Sequence, residues 1–388
     1  MCQRFDKGIQ TDIVILDFSK AFDTVPHNKL LHKLESYGIR GNLHNWISSF
    51  LCHRKMKVIL DGVSSSETSV DSGVPQGTVL GPLLFLCHIN DLPNHVKSQV
   101  RLFADDCLLY RCIKSLLDHQ QLQKDLIALE KWATEWGMQF NSKKCYILSI
   151  KKSSSFYYQL DNTILKEMPN NPYLGLTISN DLNWSIHINN VCKKASSTLG
   201  FLRRNLSHCP PSTRKLAYIF LVRSTLEYGC SIWDPFLQTN IDKIERIQRG
   251  AARFITRDYK SRDPGCVTNM LKNIDLPTLQ QRRKDLRLAL IYKIAEGLVP
   301  AIPPDLYLDP VKEKRRIKAR TFDDCVSANF VTKHQTNNHR CFTIPQANTN
   351  VYKNSFFVKS IIDWNQLGSD IVSAPSVESF KARLARSH

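Results

Sequence analysis

The sequence lacks a hydrophobic run long enough to cross a membrane. Its longest apolar stretch is VLGPLLFLC, from Val79 to Cys87, which is about half of what a membrane-spanning helix needs. We therefore expect a soluble protein. Hydrophobic residues make up 42% and charged residues 23% of the 388 residues, a composition typical of a chain that folds into two or three domains with cores of their own.

Paired cysteine motifs and an N-terminal secretion signal are also missing. Twelve cysteines are present, but none of them forms a C-x-x-C pair, which favours free thiols in a reducing, intracellular setting. The final segment contains four candidate metal ligands, Cys325, His334, His339 and Cys341. Their spacing matches no common zinc pattern, so we expect no zinc site there.

Acidic residues are scarce in the second part of the chain. Residues 1–150 hold 17 Lys and Arg against 15 Asp and Glu, whereas the remaining 238 residues hold 36 against 20. Almost all of the formal net charge of +18 therefore lies beyond residue 150. A polyanion is the usual partner of such a surface.

One feature that the sequence does have is a pair of adjacent carboxylates, in RLFADDCLLY. Asp105 and Asp106 separate two apolar runs, and the pattern predicts two short strands joined by a two-residue turn. One interpretation is an ordinary hairpin tip, where Asp is common. The other is a cation site, in which bound divalent cations offset the repulsion between the two charges. A cation site predicts a third carboxylate elsewhere.

A candidate for the third carboxylate ends an early strand. The run from Ile13 to Leu16 is apolar on successive residues, which is typical of a strand buried on both faces, and it leads directly into Asp17. A carboxylate at such a place is costly unless something pairs with it. Beyond it, Pro26 suits a first helical turn, and apolar residues at helical spacing predict a helix up to Gly38.

A loop rich in glycine and proline follows, in SGVPQGTVLGPLLFLC. Gly73, Gly77 and Gly81 allow the backbone to approach a flat ligand closely, and Gln76 offers an amide beside it. The alternative is a simple loop that leads into a core helix. A strand ending in Asp, then this loop and helix, then a hairpin with paired Asp is the layout by which nucleic-acid polymerases bring carboxylates together.

These segments resemble the catalytic motifs of the reverse transcriptases of non-LTR (LINE-type) retrotransposons, in the jockey- and CR1-like group. LDFSKAFDTVPH is similar to the first motif, SGVPQGTVLGPLLF to the second and FADD to the third. MQFNSKKC is similar to the fourth, and YLGLTISNDLNW to the primer grip. The resemblance covers nearly the whole chain, because STLEYGCSIWDPF, IERIQRGAARFIT and WNQLGSDIVSAPSVESFKARL resemble later segments of such elements.

The resemblance implies RNA-directed DNA synthesis with two Mg²⁺ ions, for which Mn²⁺ is a substitute, on a primer 3′-hydroxyl. By correspondence, Asp17 and Asp105 bridge both ions, and Asp106 completes the acidic cluster. Lys144 occupies the position of the general acid for pyrophosphate, and a solvated charge pair with Lys143 is the alternative. The implied partners are an RNA template, a DNA primer and deoxynucleoside triphosphates, in the nucleus or a cytoplasmic ribonucleoprotein.

The same resemblance implies a nucleotide pocket. Phe22 occupies the position of an aromatic ring beneath the incoming sugar, where it would clash with a ribose 2′-hydroxyl, and an ordinary core phenylalanine is the alternative. Gly73 and Gln76 would shape the pocket for nucleotide and template. We expect a structural role for Asp23, in the AFD signature.

One basic helix carries the implied nucleic-acid contacts. Within IDKIERIQRGAARFITR the apolar residues form a single helical face. The cations that lie largely off this face are Lys243, Arg246, Arg249, Arg253 and Arg257. By resemblance they belong to the thumb and contact template–primer phosphates, and a solvated helix face is the alternative. The run KEKRRIKAR, residues 312–320, fits RNA binding, nuclear import or a charged linker.

The expected fold class is α+β. A reverse-transcriptase palm over residues 1–180 combines an antiparallel sheet with helices packed on one face, and TDIVILD lies beside the RLFADDCLLY hairpin in that sheet. A basic helical thumb or connection follows over residues 181–260. Residues 261–388 form a mainly helical, basic tail of unknown role.

The sequence departs from the family pattern at its N-terminal end. Met1 lies only sixteen residues before Asp17, whereas family members have fingers and usually an endonuclease domain upstream. We expect a truncated copy or a partial gene model that is weakly active or inactive. A non-catalytic RNA- or DNA-binding remnant and a group II intron maturase are the alternatives.

Overall fold

The computed structural model describes residues 1–311 and 338–387. The chain divides into two units, one from Gln3 to Leu182 and one from Asn183 onward. None of the helices in the described ranges is long and apolar enough to span a bilayer. Cysteines within these ranges are free thiols, as their spacing predicts. Cys325, His334 and the KEKRRIKAR segment lie outside the described residues.

The first unit combines strands with helices. Its strands are β1 (Gln10–Leu16), β2 (Arg54–Met56), β3 (Ile59–Leu60), β4 (Val63–Ser64), β5 (Thr68–Val70), β6 (Gln99–Phe103), β7 (Asp106–Ile113), β8 (Tyr146–Ile150), β9 (Gln159–Leu160), β10 (Thr163–Ile164), β11 (Lys166–Glu167), β12 (Asn170–Tyr173) and β13 (Leu176–Ser179). Its helices are α1 (Cys2–Asp6), α2 (His27–Ser36), α3 (Gly41–Leu51), α4 (Leu80–Ile89) and α5 (Leu116–Trp136).

Five strands form the central sheet, in the order β11-β8-β1-β7-β6. Strand β1 lies between β7 and β8 and is antiparallel to both, so the predicted neighbourhood of the early strand and the hairpin is confirmed. All seven residues of β1 are buried, and the apolar run predicts this for Ile13 to Leu16. The edge strand β11 pairs with β8 in parallel, which differs from the purely antiparallel sheet that we expected.

The first half of β1 is polar, and its side chains find partners inside the protein. The Asp12 carboxylate accepts hydrogen bonds from the Tyr158 hydroxyl at 2.7 Å and from Gln10 Nε2 at 2.8 Å. The Nδ1 atom of His119 lies 2.7 Å from the Tyr158 hydroxyl oxygen. Because the buried carboxylate accepts these hydrogen bonds, its burial does not leave its oxygens unsatisfied. The network ties β1 to α5.

Three helices pack on one face of the sheet. On that face, β1 contributes Val14 and Leu16 to the main hydrophobic core. Helices α2, α4 and α5 close this core with buried side chains such as Leu30, Phe85 and Trp132 respectively. The expected α+β palm is therefore confirmed.

Helix α2 begins one residue later than the sequence suggests. Pro26 precedes the helix with an extended ψ of 126°, and His27 is the first helical residue. The helix ends before Tyr37, and Gly38 follows with a φ of 86°, a conformation that glycine adopts without strain. The predicted helical end at Gly38 agrees with this to within two residues.

The second unit is helical in its described part. Its helices are α6 (Ser185–Asn205), α7 (Pro211–Ala217), α8 (Ser224–Glu227), α9 (Cys230–Trp233), α10 (Gln238–Thr256), α11 (Cys266–Asn273), α12 (Leu279–Ala295), α13 (Asn350–Lys353), α14 (Phe356–Asn365), α15 (Ser369–Val372) and α16 (Val377–Arg386). One core joins α12, α14 and α16, where the ring of Phe380 stacks on Tyr292 and Trp364. The predicted boundary near residue 260 stays a prediction.

Candidate active site

Two of the three candidate carboxylates leave neighbouring strands side by side. Leu16, the last residue of β1, pairs with Cys107 of β7. Continuing the same antiparallel register by one residue places Asp17 opposite Asp106, because β7 begins at Asp106. Paired residues of antiparallel strands have Cβ atoms about 5 Å apart. The register therefore brings together two acids that are far apart in the sequence.

The third carboxylate lies in the hairpin loop beside them. Strands β6 and β7 form a hairpin in which Phe103 pairs with Asp106. The two-residue loop is Ala104 and Asp105, and Ala104 has a φ of 50°. The predicted hairpin is confirmed, but its turn lies one residue earlier than the Asp pair, because Asp106 belongs to the strand.

The three carboxylates interact electrostatically. The pKa of Asp106 is raised above its ordinary value, first by partial burial and then by the negative charges of Asp105 and Asp17. Both effects disfavour the ionised form of Asp106. A bound cation would reverse the second effect, so the energetics of this cluster favour a positively charged ligand.

A lysine stands at the edge of the acidic cluster. Lys144 ends a short 3₁₀ turn before β8, and its Nζ lies 3.8 Å from Asp17 Oδ2. The Lys144 side chain is 68% exposed, so the pair contributes little to stability. Its ammonium group is accordingly free to reorient towards a ligand.

The donor set suits a hard divalent cation, because carboxylate oxygens are the ligands that Mg²⁺ prefers. In residues 1–311 and 338–387, however, no group of three or more His, Cys, Asp or Glu side chains is spaced to hold a metal ion. The three carboxylates thus lie near one another, but their spacing is not that of a metal-binding site. The metal-binding roles of Asp17, Asp105 and Asp106 stay predictions.

The glycine-rich loop is tied to the segment that follows β1. Gly73 has a φ of +88°, and a Cβ atom there would come within 2.8 Å of the Asp23 carbonyl oxygen. Only glycine allows this approach. Nearby, Gln76 Nε2 donates a hydrogen bond of 2.8 Å to Asp23 Oδ1. Asp23 therefore positions Gln76, a role that the sequence did not reveal.

The family of this domain follows from comparison with known proteins. The sequence pattern of the family described as "Reverse transcriptase (RNA-dependent DNA polymerase)" matches residues 4–178, which include the whole acidic cluster. Residues 4–178 are a reverse transcriptase domain. The expected resemblance to reverse transcriptases is confirmed over these residues. Reverse transcriptases as a family use divalent metal ions.

The relatives of this reverse transcriptase domain are transposon polymerases. The chain is 28% identical over 305 residues to the probable RNA-directed DNA polymerase from transposon X-element of Drosophila melanogaster, covering 74% of this chain and 31% of that protein. It is 28% identical to the RNA-directed DNA polymerase from mobile element jockey of the same species, covering 62% and 28%. These relatives support the non-LTR type. The chain spans about a third of the length of these curated relatives.

A solved structure is also similar. Telomerase from Candida tropicalis, in complex with a fragment of telomeric RNA, matches with a TM-score of 0.39 and 12% identity. The match covers 75% of this chain and 44% of that chain.

Within the reverse transcriptase domain, Phe22 is packed by the helix of the second motif. The half-buried ring of Phe22 stacks on Phe85 of α4, with ring centroids 4.5 Å apart. Beside it, Lys20, Asp23, Arg54 and the loop around Gln76 line a cleft of about 750 Å³. The contact with Phe85 agrees with the core interpretation of Phe22. Selection against ribose stays a prediction.

The sequence does not indicate one aromatic residue that lies near the acidic cluster. Tyr173 ends β12, before the two-residue turn of Leu174 and Gly175. Burial and the negative charge of Asp106 raise the pKa of Tyr173 to about 12. The motif YLGL marked this segment, but only the fold shows that Tyr173 comes near Asp106.

The basic helix lies beyond the reverse transcriptase domain, in α10. Its predicted apolar face is buried. Arg246, Arg249 and Arg257 are exposed. Arg253, in contrast, donates hydrogen bonds to the carbonyl oxygens of Asp258 and Ser261, and Lys243 Nζ donates one to Asn189 Oδ1. Three of the five cations are thus exposed to solvent, and their contacts with phosphates stay a prediction.

Proposed function

We propose that this chain performs RNA-directed DNA synthesis, adding deoxynucleotides to a primer 3′-hydroxyl. The observation that carries the proposal is the β1–β7 register, which pairs Leu16 with Cys107, so that Asp17 and Asp106 are the next residues of the two segments, with Asp105 in the adjoining loop. Nucleotidyl transfer needs carboxylates from separate strands at one place. The raised pKa of Asp106, which has burial and its neighbours' negative charges as causes, marks that place as one suited to cations.

Two Mg²⁺ ions are the proposed cofactors, with Asp17, Asp105 and Asp106 as their ligands. When bound, they would lower the pKa of the primer hydroxyl and stabilise the charge on the leaving pyrophosphate. Lys144, at the edge of the cluster, would give a proton to the pyrophosphate. These residues divide the work between metal binding and proton transfer.

The nucleotide and the template would lie against the glycine-rich loop. Gln76, held by Asp23, offers its amide on the wall of the cleft. Phe22, fixed by its stacking on Phe85, is the residue that would exclude a ribose 2′-hydroxyl. Because both side chains are held by neighbours, they would meet the substrate in a defined geometry.

The proposed macromolecular partners are an RNA template and a DNA primer. The exposed arginines of α10 and the surplus of 16 positive charges beyond residue 150 support binding to phosphate backbones. A location in the nucleus or in a cytoplasmic ribonucleoprotein belongs to the same proposal. A non-catalytic nucleic-acid-binding remnant is the second candidate function, and the same exposed arginines favour it.

Primer extension on an RNA template separates these functions. We would compare the chain with Asp105→Asn, in the presence and absence of Mg²⁺. The matched control is Asp61→Asn, because Asp61 is an exposed residue in the two-residue loop of another hairpin, β3–β4. The proposal predicts extension by the chain and the control, and a loss of at least about a hundredfold in Asp105→Asn.

Extension that survives in Asp105→Asn contradicts the proposed metal site. Template binding without extension by any variant identifies the chain as a binding remnant.

A further inference from the structure

The second unit contains a cavity with charged walls at the N-terminal end of α12. Its volume is about 370 Å³, and Lys284, Arg287 and Lys359 line it together with Asp234 and Asp363. This volume is at the lower end of the range for small-ligand pockets.

Two carboxylates organise the cations around this cavity. Asp234 accepts hydrogen bonds from Arg283 Nε at 3.0 Å and from Lys359 Nζ at 2.6 Å. Arg287 bridges Asp234 and Asp363 through its two terminal nitrogens. Lys284 Nζ lies 3.6 Å from the second of these carboxylates, Asp363.

The charges of this cluster do not balance. Four cations, Arg283, Lys284, Arg287 and Lys359, form ion pairs with only two carboxylates. Two further carboxylates, Glu245 and Asp285, bond to the cavity-lining Gln280 and Gln281 instead. Arg283 and Arg287 are 0% and 2% exposed, so water screens these charges poorly. Because each carboxylate is shared between several cations, an additional anion would be attracted by positive charges that are only partly neutralised.

Unsatisfied hydrogen-bond donors in the same cluster also favour an anionic ligand. The Nε atom of Arg287, and both terminal nitrogens of Arg283, are buried without a hydrogen-bond partner among residues 1–311 and 338–387. Most buried polar groups are hydrogen-bonded. Arg287 lines the cavity itself, and a ligand there would meet the terminal nitrogens that now bond Asp234 and Asp363.

The end of helix α12 adds to the positive potential. Its dipole places partial positive charge at the first turn. The backbone N–H groups of Gln280 and Gln281 are already bonded, to Glu245 and to the Thr278 hydroxyl. The direct contacts would therefore come from the basic side chains.

We propose that this cavity binds a phosphate group, through Lys284, Arg287 and Lys359. Guanidinium and ammonium donors that line one cavity suit a tetrahedral anion with several acceptor oxygens. The site lies outside the reverse transcriptase domain, and its binding is measured without polymerase activity. Its outcome is therefore separable from that of the proposed polymerase function.

Calorimetric titration of the full chain with inorganic phosphate, at ionic strength held constant with NaCl, tests the site. We expect saturable binding that Lys284→Gln weakens by about tenfold, because one charged donor is lost. Lys284 is 38% exposed, so its replacement leaves the fold intact. Lys293→Gln, on the same helix, is the matched control and should bind phosphate as the unmodified chain does.

A second variant gives an effect of opposite sign. Asp363→Asn removes the carboxylate that competes for Lys284 and Arg287, so phosphate should bind several-fold more tightly. If the cluster serves only to join helices, neither variant changes phosphate binding. That result, or no saturable binding up to about 10 mM phosphate, overturns the proposal.

The source of the phosphate group is resolved by competition with single-stranded oligothymidine. Displacement of phosphate by the oligonucleotide, with the same sensitivity to Lys284→Gln, identifies a nucleic-acid backbone as the ligand. Phosphate binding that the oligonucleotide leaves unchanged identifies a small phosphorylated compound.

Discussion

Two partly buried aspartates, one in each unit, stand in opposite electrostatic settings. In the first unit, burial and the carboxylates of Asp105 and Asp17 raise the pKa of Asp106. In the second unit, burial alone would raise the pKa of Asp234, but the cations around it hold this pKa below its ordinary value. An aspartate side chain is thus repelled by its neighbours in the first unit, whereas in the second unit it holds several cations together.

The two clusters differ in the sign of their excess charge, and each therefore favours a ligand of the opposite sign. The acidic cluster after β1 and at the β6–β7 hairpin has an excess of negative charge, which favours a cation. The cluster around α12 has an excess of positive charge, which favours an anion. In both cases like charges are held together by the fold, and a ligand of opposite sign would relieve the repulsion. Removing one negative charge from each cluster should therefore have opposite effects on the stability of the two units.

The largest expected effect is at Asp234. Asp234→Asn leaves Arg283 and Lys359 without their carboxylate partner, and breaking a buried ion pair on one side costs about 3–5 kcal/mol. We expect hydrogen exchange of the α12 backbone amides to accelerate by at least about a hundredfold. Mass spectrometry of the exchanged peptides measures this.

Asp106→Asn is the counterpart in the first unit. In metal-free buffer it removes one of three repelling charges, so the amides of β7 should exchange at the same rate or more slowly. Faster exchange in β7 would show that Asp106 is a structural centre like Asp234, and the comparison between the two clusters would fail.

Gly73 tests a steric rather than an electrostatic contribution to the stability of the first unit. Gly73→Ala combines a φ of +88° with a Cβ contact of 2.8 Å to the Asp23 carbonyl oxygen. Gly77 has a φ of +77° but nothing within 4 Å of such a Cβ atom. We expect Gly73→Ala to destabilise the first unit by about 1–3 kcal/mol more than Gly77→Ala. Urea unfolding followed by exchange of α4 peptides measures the difference, and equal effects would mean that the contact relaxes freely.

The sequence predicted well those features that depend on local patterns. The apolar run from Ile13 to Leu16 specified a strand buried on both faces, and strand pairing then followed from the two apolar flanks of the Asp pair. The apolar face of α10 was likewise predicted correctly, since its spacing leaves only one side to bury. The resemblance to reverse transcriptases, through the order of the motifs, predicted that Asp17 and Asp105 lie near each other.

Features that depend on contacts distant in sequence could not be predicted. The approach of Tyr173 to Asp106, and the bond between Asp23 and Gln76, join segments whose separation no periodicity encodes. The burial of Arg283 and Arg287 contradicts the usual exposure of arginine. In LQQRRKDLRLALIYKIA the arginines look like a solvated face, and only the position of Asp234 explains why they are inside.

A smaller effect is the dependence of stability on pH, which should have opposite signs in the two clusters. Asp106 has a folded pKa above the ordinary 3.8, so its contribution is complete below pH 3.8 and is lost as the pH rises through the folded value. Asp234 has a lowered pKa, so its contribution is present above pH 3.8 and is lost as the pH falls through the folded value.

Hydrogen exchange at a series of pH values, corrected for intrinsic rates, tests these signs in one sample. Protection of β7 should rise on mild acidification, while protection of α12 should fall only in stronger acid. Adding Mg²⁺ at neutral pH should protect β7 and leave α12 unchanged, because a cation relieves the same repulsion as a proton. Protection that changes in the same direction in both elements contradicts the assignment of opposite settings.

The smallest expected effect on stability is at Lys144. Its side chain is exposed, whereas the arginines of the cluster around α12 are buried. Because the Lys144 side chain is 68% exposed and 3.8 Å from Asp17, Lys144→Gln should change the free energy of unfolding by less than about 1 kcal/mol. A general acid contributes at least about a hundredfold to the rate, so primer extension should slow by that factor. Lys143→Gln, one residue away, is the control. Equal loss in both variants would show that general positive charge at this turn, rather than proton transfer by Lys144, supports the reaction.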